Sequence, residues 1–245
     1  MSPSKSANLP RIACFHGSGS NSSIFEIQCT FLMTLISQKF TLEFFNAPFE
    51  RPAGPGVLPA FEECGPYFSW FEQDTDKTDG SGYDATGKDG IDRVLGLMEQ
   101  RGREKGFGSE QWVGVMGFSQ GTRVAAGVLL DQQRREKLDG DMAQRDVGKG
   151  IKLRFGVMCN GAGRPMESKS GYSDESDAIV RIPTLHVHGL KDEFLHYGRE
   201  QYEKYFDKET AKLYEINYHH AMPWVKAESE GLAKQITELD DRTQA

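Results

Sequence analysis

The chain of 245 residues contains no CxxC pair, no apolar run approaching the roughly 18 residues of a membrane-spanning helix, no block of lysine and arginine, and no internal repeat. Each absence removes a class of function. Four cysteines, Cys14, Cys29, Cys64 and Cys159, are too scattered for a zinc ribbon or a redox pair. Cys14 and Cys159 lie in apolar runs, so free thiols are expected. A net charge of −7 leaves no basic footprint for nucleic acid or an anionic membrane, so neither is expected as a partner. The start, MSPSKSANLPR, has no apolar stretch behind its lysine of the kind an export signal carries, which predicts a cytoplasmic protein.

What is present is an alternation of short apolar runs with longer amphipathic ones, the pattern of a parallel sheet with crossover helices. The runs RIACF (11–15), LEFFN (42–46), WVGVM (112–116), LRFGVMC (153–159), TLHVHG (184–189) and KLYEIN (212–217) read as strands. Helices are predicted between them, over 89–105, 120–138, 193–206 and 223–239. A first helix is expected from an N-cap at Ser23 to Gln38, with Ile24, Ile27, Phe31 and Leu35 on its core face. At 38% hydrophobic residues, one core across 1–245 is expected. The stretch 48–90, stiffened by prolines and then rich in glycine and polar residues, reads as a lid-like excursion from the sheet. Two shorter stretches also leave the sheet, the charged segment 131–150, read as a helix extension plus loop, and 163–179.

Two motifs fail on inspection. DTDKTDG (74–80) resembles a calcium loop, but Thr78 stands at the fifth position, the glycine comes one residue late, and Ala85 occupies the place of the closing glutamate. GSGSNS (17–22) lies between a strand and a helix as a dinucleotide loop does, but Ser22 replaces the last glycine. No metal or cofactor is therefore expected.

GFSQG (117–121) is different, because strand WVGVM precedes it and a helix follows it. In a nucleophile elbow the serine sits on a tight strand-to-helix turn that needs small residues on either side, here Gly117 and Gly121. A serine hydroxyl is a poor nucleophile at neutral pH, so Ser119 requires a base and an orienting acid. Chain order Ser, Asp or Glu, His, with each at the end of a strand, places the acid in GLKDE (189–193) and the base in YHHAMPW (218–224). Asp192 is preferred to Glu193, which would lie within the first turn of the next helix; Asp192 is also a plausible N-cap. Between His219 and His220 the spacing does not choose. His186 and His188 alternate on one strand as metal ligands can, but lack a third ligand, so packing is expected. The oxyanion hole needs the backbone N–H after the nucleophile, that of Gln120, and one from an earlier loop, for which Ser18 in the glycine loop is the candidate.

Together, CFHGSGSN, IFEIQ, NAPFE, GPYFSWFE, GFSQG, HVHGLKDE and HHAMP, running from residue 12 to 223, resemble the FSH family of serine hydrolases, a mainly fungal branch of the α/β-hydrolases. The resemblance implies an α/β-hydrolase fold, a mostly parallel central sheet flanked by helices. It implies an acyl ester or thioester substrate and a triad of Ser119, Asp192 and His220. Members include thioesterases of polyketide pathways, for which the acyl-carrier domain of a polyketide synthase would be a partner, and general short-chain carboxylesterases. A non-catalytic protein that keeps the fold as a scaffold is the alternative outside enzymes. Aromatic residues of the excursion, Phe49, Tyr67, Phe68, Trp70 and Phe71, are expected to face an apolar acyl group. The chain departs from the family in having Ser18 where a bulky apolar residue is usual, and Tyr218 and His219 where small glycines are usual. His219 thereby becomes a candidate specificity residue.

Overall fold

The computed structural model describes residues 9–72, 83–137, 146–168 and 178–244; the acidic stretch 74–80 falls outside them. Their strands, in chain order, are β1 (Arg11–Phe15), β2 (Thr41–Phe45), β3 (Phe49–Arg51), β4 (Tyr67–Ser69), β5 (Trp112–Phe118), β6 (Phe155–Cys159), β7 (Thr184–Gly189) and β8 (Ala211–Ile216). All six runs expected as strands join one sheet in the order β2-β1-β5-β6-β7-β8, with every neighbouring pair parallel. The sheet is buried on both faces, which is why β1, β5, β6 and β7 read as continuous apolar runs rather than alternating ones.

The helices are α1 (Ser22–Gln28), α2 (Thr30–Ile36), α3 (Gly90–Lys105), α4 (Gly121–Arg135), α5 (Leu195–Tyr205) and α6 (Lys226–Gln244). On one side of the sheet Ala13, Phe15 and Val115 pack against Ile91 and Leu95 of α3 and Val124 and Val128 of α4. On the other side Ile12, Cys14 and Met116 pack against Phe25, Leu32 and Ile36 of α1 and α2 and Leu232 and Ile236 of α6. Alternate strand residues thus feed opposite cores, as the pleat requires.

The first helix differs from expectation. Its N-cap is Asn21, whose side chain accepts from Ile24 N–H, and the helix breaks at Cys29. The buried face carries Ile24, Phe25, Cys29, Leu32 and Ile36, leaving Ile27, Phe31 and Leu35 exposed. The run 22–38 holds two apolar stripes, and the one that meets α6 and the sheet wins.

The excursion after β2 also differs. Strands β3 and β4, hidden in a proline-rich stretch, pair as an antiparallel ribbon. Phe68 extends that ribbon to Ser20, accepting from Gly19 N–H and donating to the Ser20 carbonyl. Gly54 N–H bonds Gly19 O, and the Asn21 amide reaches the Cys64 and Pro66 carbonyls. Residues 48–72, expected as a lid, are therefore fastened to the loop between β1 and α1.

The chain runs from β1 to β2 on one side, then crosses back to β5 on the other. Such a reversal splays the loops following β1 and β5 apart and opens a crevice at the carboxyl ends of the strands.

Candidate active site

Ser119 occupies this switch point. Its φ of 52° is in the left-handed region, an uncommon state for a residue with a side chain, and its N–H is held by the Cys159 carbonyl at 2.9 Å. The flanking glycines are required by contact. A Cβ on Gly121 would lie 2.0 Å from the Phe15 carbonyl oxygen, and one on Gly117 would lie 2.3 Å from the carbonyl oxygen of Gly121. The turn can form only with both positions bare.

Asp192, in the turn after β7, is buried and uses both carboxylate oxygens. Oδ1 accepts from Phe194 N–H at 2.7 Å, and Oδ2 lies 2.7 Å from His220 Nδ1. Asp192 thus meets a histidine, but it is not the N-cap: Phe194 takes that place at α5, and Asp192 Oδ1 closes the turn that precedes the helix. Glu193 beside it is exposed. The His220 ring lies between the rings of Phe118 and Phe194, each with its centroid 5.0 Å away, so packing as well as the carboxylate fixes its plane. Ser119 and His220 line one cavity of about 410 Å³, together with Gly17, Ser18 and His219. The exposed His219 stacks on buried Tyr218, with centroids 4.6 Å apart, and among the described residues has no carboxylate contact of the kind His220 makes.

Ser18 lines the cavity, and its hydroxyl accepts from the Arg51 guanidinium at the end of β3. Gln120 opens α4 next to Ser119, and its buried side-chain carbonyl accepts from Trp70 N–H at 2.9 Å and Ser69 Oγ at 3.2 Å. Both candidates for the oxyanion hole are thus braced by the excursion.

The aromatic residues expected to face substrate lie elsewhere. Trp70 and Phe71 are buried in the core; the Trp70 indole meets Phe15 edge-on and donates to the His16 carbonyl, while Arg123 lies over Phe71. Tyr67 donates its hydroxyl to the Phe61 and Glu62 carbonyls, the Arg93 guanidinium sits over Phe49, and Phe68 packs on the core. None of these five lines the cavity: Phe68, Trp70 and Phe71 pack in or on the core, Phe49 lies under Arg93, and Tyr67 turns to the loop at 61–62.

Two residues escaped the sequence reading. Asn160, with φ of 46°, ends β6 and joins three loops. Its backbone N–H bonds Val187 O, its side-chain oxygen accepts from Gly189 N–H at 2.8 Å, and its amide donates to His219 O and Ala221 O, each at 3.3 Å. The available signal was an Asn-Gly pair after a strand, since asparagine tolerates the left-handed conformation. His16 is fully buried. Its Nδ1 lies 2.7 Å from Gly17 O and its Nε2 accepts from Ala47 N–H, and burial lowers its pKa to about 4. It is a neutral brace beneath the glycine loop.

His186 and His188 are buried, and burial lowers both below the ordinary imidazole value. His186 contacts Thr184 Oγ1 and packs edge-on against Tyr202 and Phe206. Among the described residues, no group of three or more His, Cys, Asp or Glu is placed to hold a metal ion. Nor is any helix long and apolar enough to cross a membrane.

The family model described as "Serine hydrolase (FSH1)" matches residues 4–231. A relative named probable esterase azaC, from Aspergillus niger, is 34% identical over 96% of this chain and 87% of its own. Esterase citA of Monascus ruber is 32% identical over 97% of this chain and 95% of its own. Among solved structures, esterase PE8 superposes with a TM-score of 0.55 at 17% identity, covering 97% of this chain and 96% of its own. Arabidopsis thaliana SOBER1 gives 0.53 at 18%, covering 96% and 99%. At such identities the structures speak for the fold alone, a mostly parallel sheet flanked by helices. With the family model covering nearly the whole chain and curated relatives above 30% identity, this protein belongs to the FSH1 serine hydrolase family and is a hydrolase.

Proposed function

We propose that the chain cleaves an acyl thioester or ester through an acyl-enzyme on Ser119, in the manner of a polyketide-type acyl thioesterase of fungal secondary metabolism. The observation that carries the mechanism is the 2.7 Å contact of His220 Nδ1 with Asp192 Oδ2, in a cavity that His220 shares with an elbow serine. Asp192 holds the imidazole with Nδ1 protonated, so Nε2 is free to take the Ser119 proton as Oγ attacks the acyl carbonyl. The N–H groups of Ser18 and Gln120 receive the oxyanion; a donor of this kind typically contributes about 10²–10³ in turnover. His220 returns the proton to the departing sulfur or oxygen. Water then repeats the sequence on the acyl-enzyme, releasing the acid and restoring Ser119.

A carboxylesterase acting on small free esters is the second reading, favoured by the relatives' names. Paired assays on an acyl thioester and the oxygen ester of the same acid separate the two. The proposal expects thioester turnover at least equal to that of the ester, and a large preference for the oxygen ester would replace it with the second reading. A carrier-bound thioester assayed against its small-thiol counterpart reports whether an acyl-carrier domain is recognised.

A further inference from the structure

Ile27, Phe31 and Trp224 are large apolar side chains that are 55%, 51% and 66% exposed. Singly, such residues need no explanation. Here they come from two distant segments of the chain and line one trough of about 430 Å³, with Ala60, Phe61 and Met222 completing its apolar wall. Leu58, in the loop that carries Ala60 and Phe61, and Val225, next to Trp224, are also half exposed. The trough adjoins the catalytic cavity, with Gln28, Gly56, His219 and Ala221 lining both. His219 stands where the two meet, one residue from the proposed base.

Resting on the reading of Ser119 as the residue that carries the acyl group, we propose that this trough holds the acyl chain, making the preferred substrate an ester or thioester of a long, apolar acid. Between the two halves of the reaction the leaving group departs and water enters, whereas the acyl chain stays. Water needs polar partners along its path, and the trough is lined mainly by Ile27, Phe31, Ala60, Phe61, Met222 and Trp224, with Gln28, Thr30 and His219 as its polar side chains. It suits the part of the substrate that remains. At roughly 30 Å³ per methylene, about the share of one water molecule, the trough accommodates a chain on the order of ten carbons. Ile27 and Phe31 gain in this reading a reason to be apolar on a helix face that the core does not use.

The test is the chain-length dependence of kcat/KM on p-nitrophenyl acetate, hexanoate and decanoate, run beside ethyl, hexyl and decyl acetates. The wild-type protein should favour longer acids, by up to about fourfold per methylene where the chain is fully enclosed. Ala60→Trp fills the trough from a position that does not line the catalytic cavity, and Ile27→Asp charges its wall from an exposed helix position. Both should lower decanoate turnover about tenfold or more and leave acetate turnover within about twofold. An acid-length profile unchanged in both variants overturns the trough, and a penalty that follows the length of the alcohol overturns its assignment to the acyl chain. Acetate turnover that survives in Ser119→Ala would bring down the catalytic reading itself, a distinct result.

Discussion

Asn160 offers a demanding test of how the site is held, because its side chain bonds the carbonyls on either side of His220 and the N–H of Gly189 at the start of the Asp192 turn. Asn160→Gly removes all three bonds while keeping the left-handed backbone free of strain. Gly189 N–H, buried, is left without its acceptor, a cost of about 1–3 kcal/mol. The two bonds at 3.3 Å are long and contribute less than a typical ~1 kcal/mol each, so a loss of about 2–3 kcal/mol of stability is expected. Asn160→Ala adds about 1–2 kcal/mol for forcing a Cβ into the left-handed region. Asn160→Asp keeps the acceptor for Gly189 but sets a carboxylate oxygen against the His219 and Ala221 carbonyls, so its effect falls on the contacts that hold the His220 loop. A displacement of about 1 Å at a catalytic group costs about 10² in rate. All three variants should therefore lower kcat by roughly 10- to 100-fold, with KM within about twofold. Steady-state kinetics and urea unfolding on the same preparations provide both numbers. A folded Asn160→Asp with wild-type kcat would refute the idea that these carbonyl bonds position His220.

The remaining predictions concern stability. Glu43 on β2 is 1% exposed and paired with Arg11, itself buried, and with Arg101 and Lys105, both at 2.8 Å. Burial raises its pKa, but the hydrogen bonds from Lys105 and Arg101 outweigh it and hold the carboxyl below its ordinary value. Glu43→Ala leaves Arg11 buried and unpaired and should cost about 3–5 kcal/mol in urea unfolding; a loss below about 1 kcal/mol would show that solvent reaches Arg11. His16 should make stability depend on pH. The unfolded chain binds its proton below about 6.5 and the folded chain only near 4, so stability is complete above pH 6.5 and falls as pH drops toward 4. The slope is about 1.4 kcal/mol per pH unit for this one proton, reaching about 3 kcal/mol, with His186 and His188 acting in the same direction. Urea midpoints that stay flat between pH 7.5 and 5 would contradict it.

The six strands of the main sheet and the elbow were legible because each is a local pattern. A parallel sheet covered on both faces writes itself as short unbroken apolar runs, and the glycines of GFSQG are forced by contacts within one turn. The orientation of α1 and α2 was not legible, since Ile27, Phe31 and Leu35 are as apolar as Phe25, Leu32 and Ile36, and it is the assembled sheet together with α6, some 200 residues later, that selects between the stripes. Trp70 and Phe71 were visible as aromatic residues, but whether they face substrate or sheet depends on how the β3–β4 ribbon closes onto Ser20. Asn160 was legible only as the turn residue of an Asn-Gly pair, for a related reason. Its work is to join loops brought together by the sheet, and no spacing in the chain encodes that meeting.

The most direct measurement is covalent. Incubation with an alkyl fluorophosphonate, proteolysis and mass spectrometry should place one phosphonyl group on the peptide bearing Ser119. The adduct should be absent in Ser119→Ala, and formation should slow on the order of 10³-fold or more in His220→Ala, while His219→Ala still labels readily. Labelling at another residue, or a Ser119→Ala protein that keeps a tenth of the wild-type esterase turnover, would contradict the account.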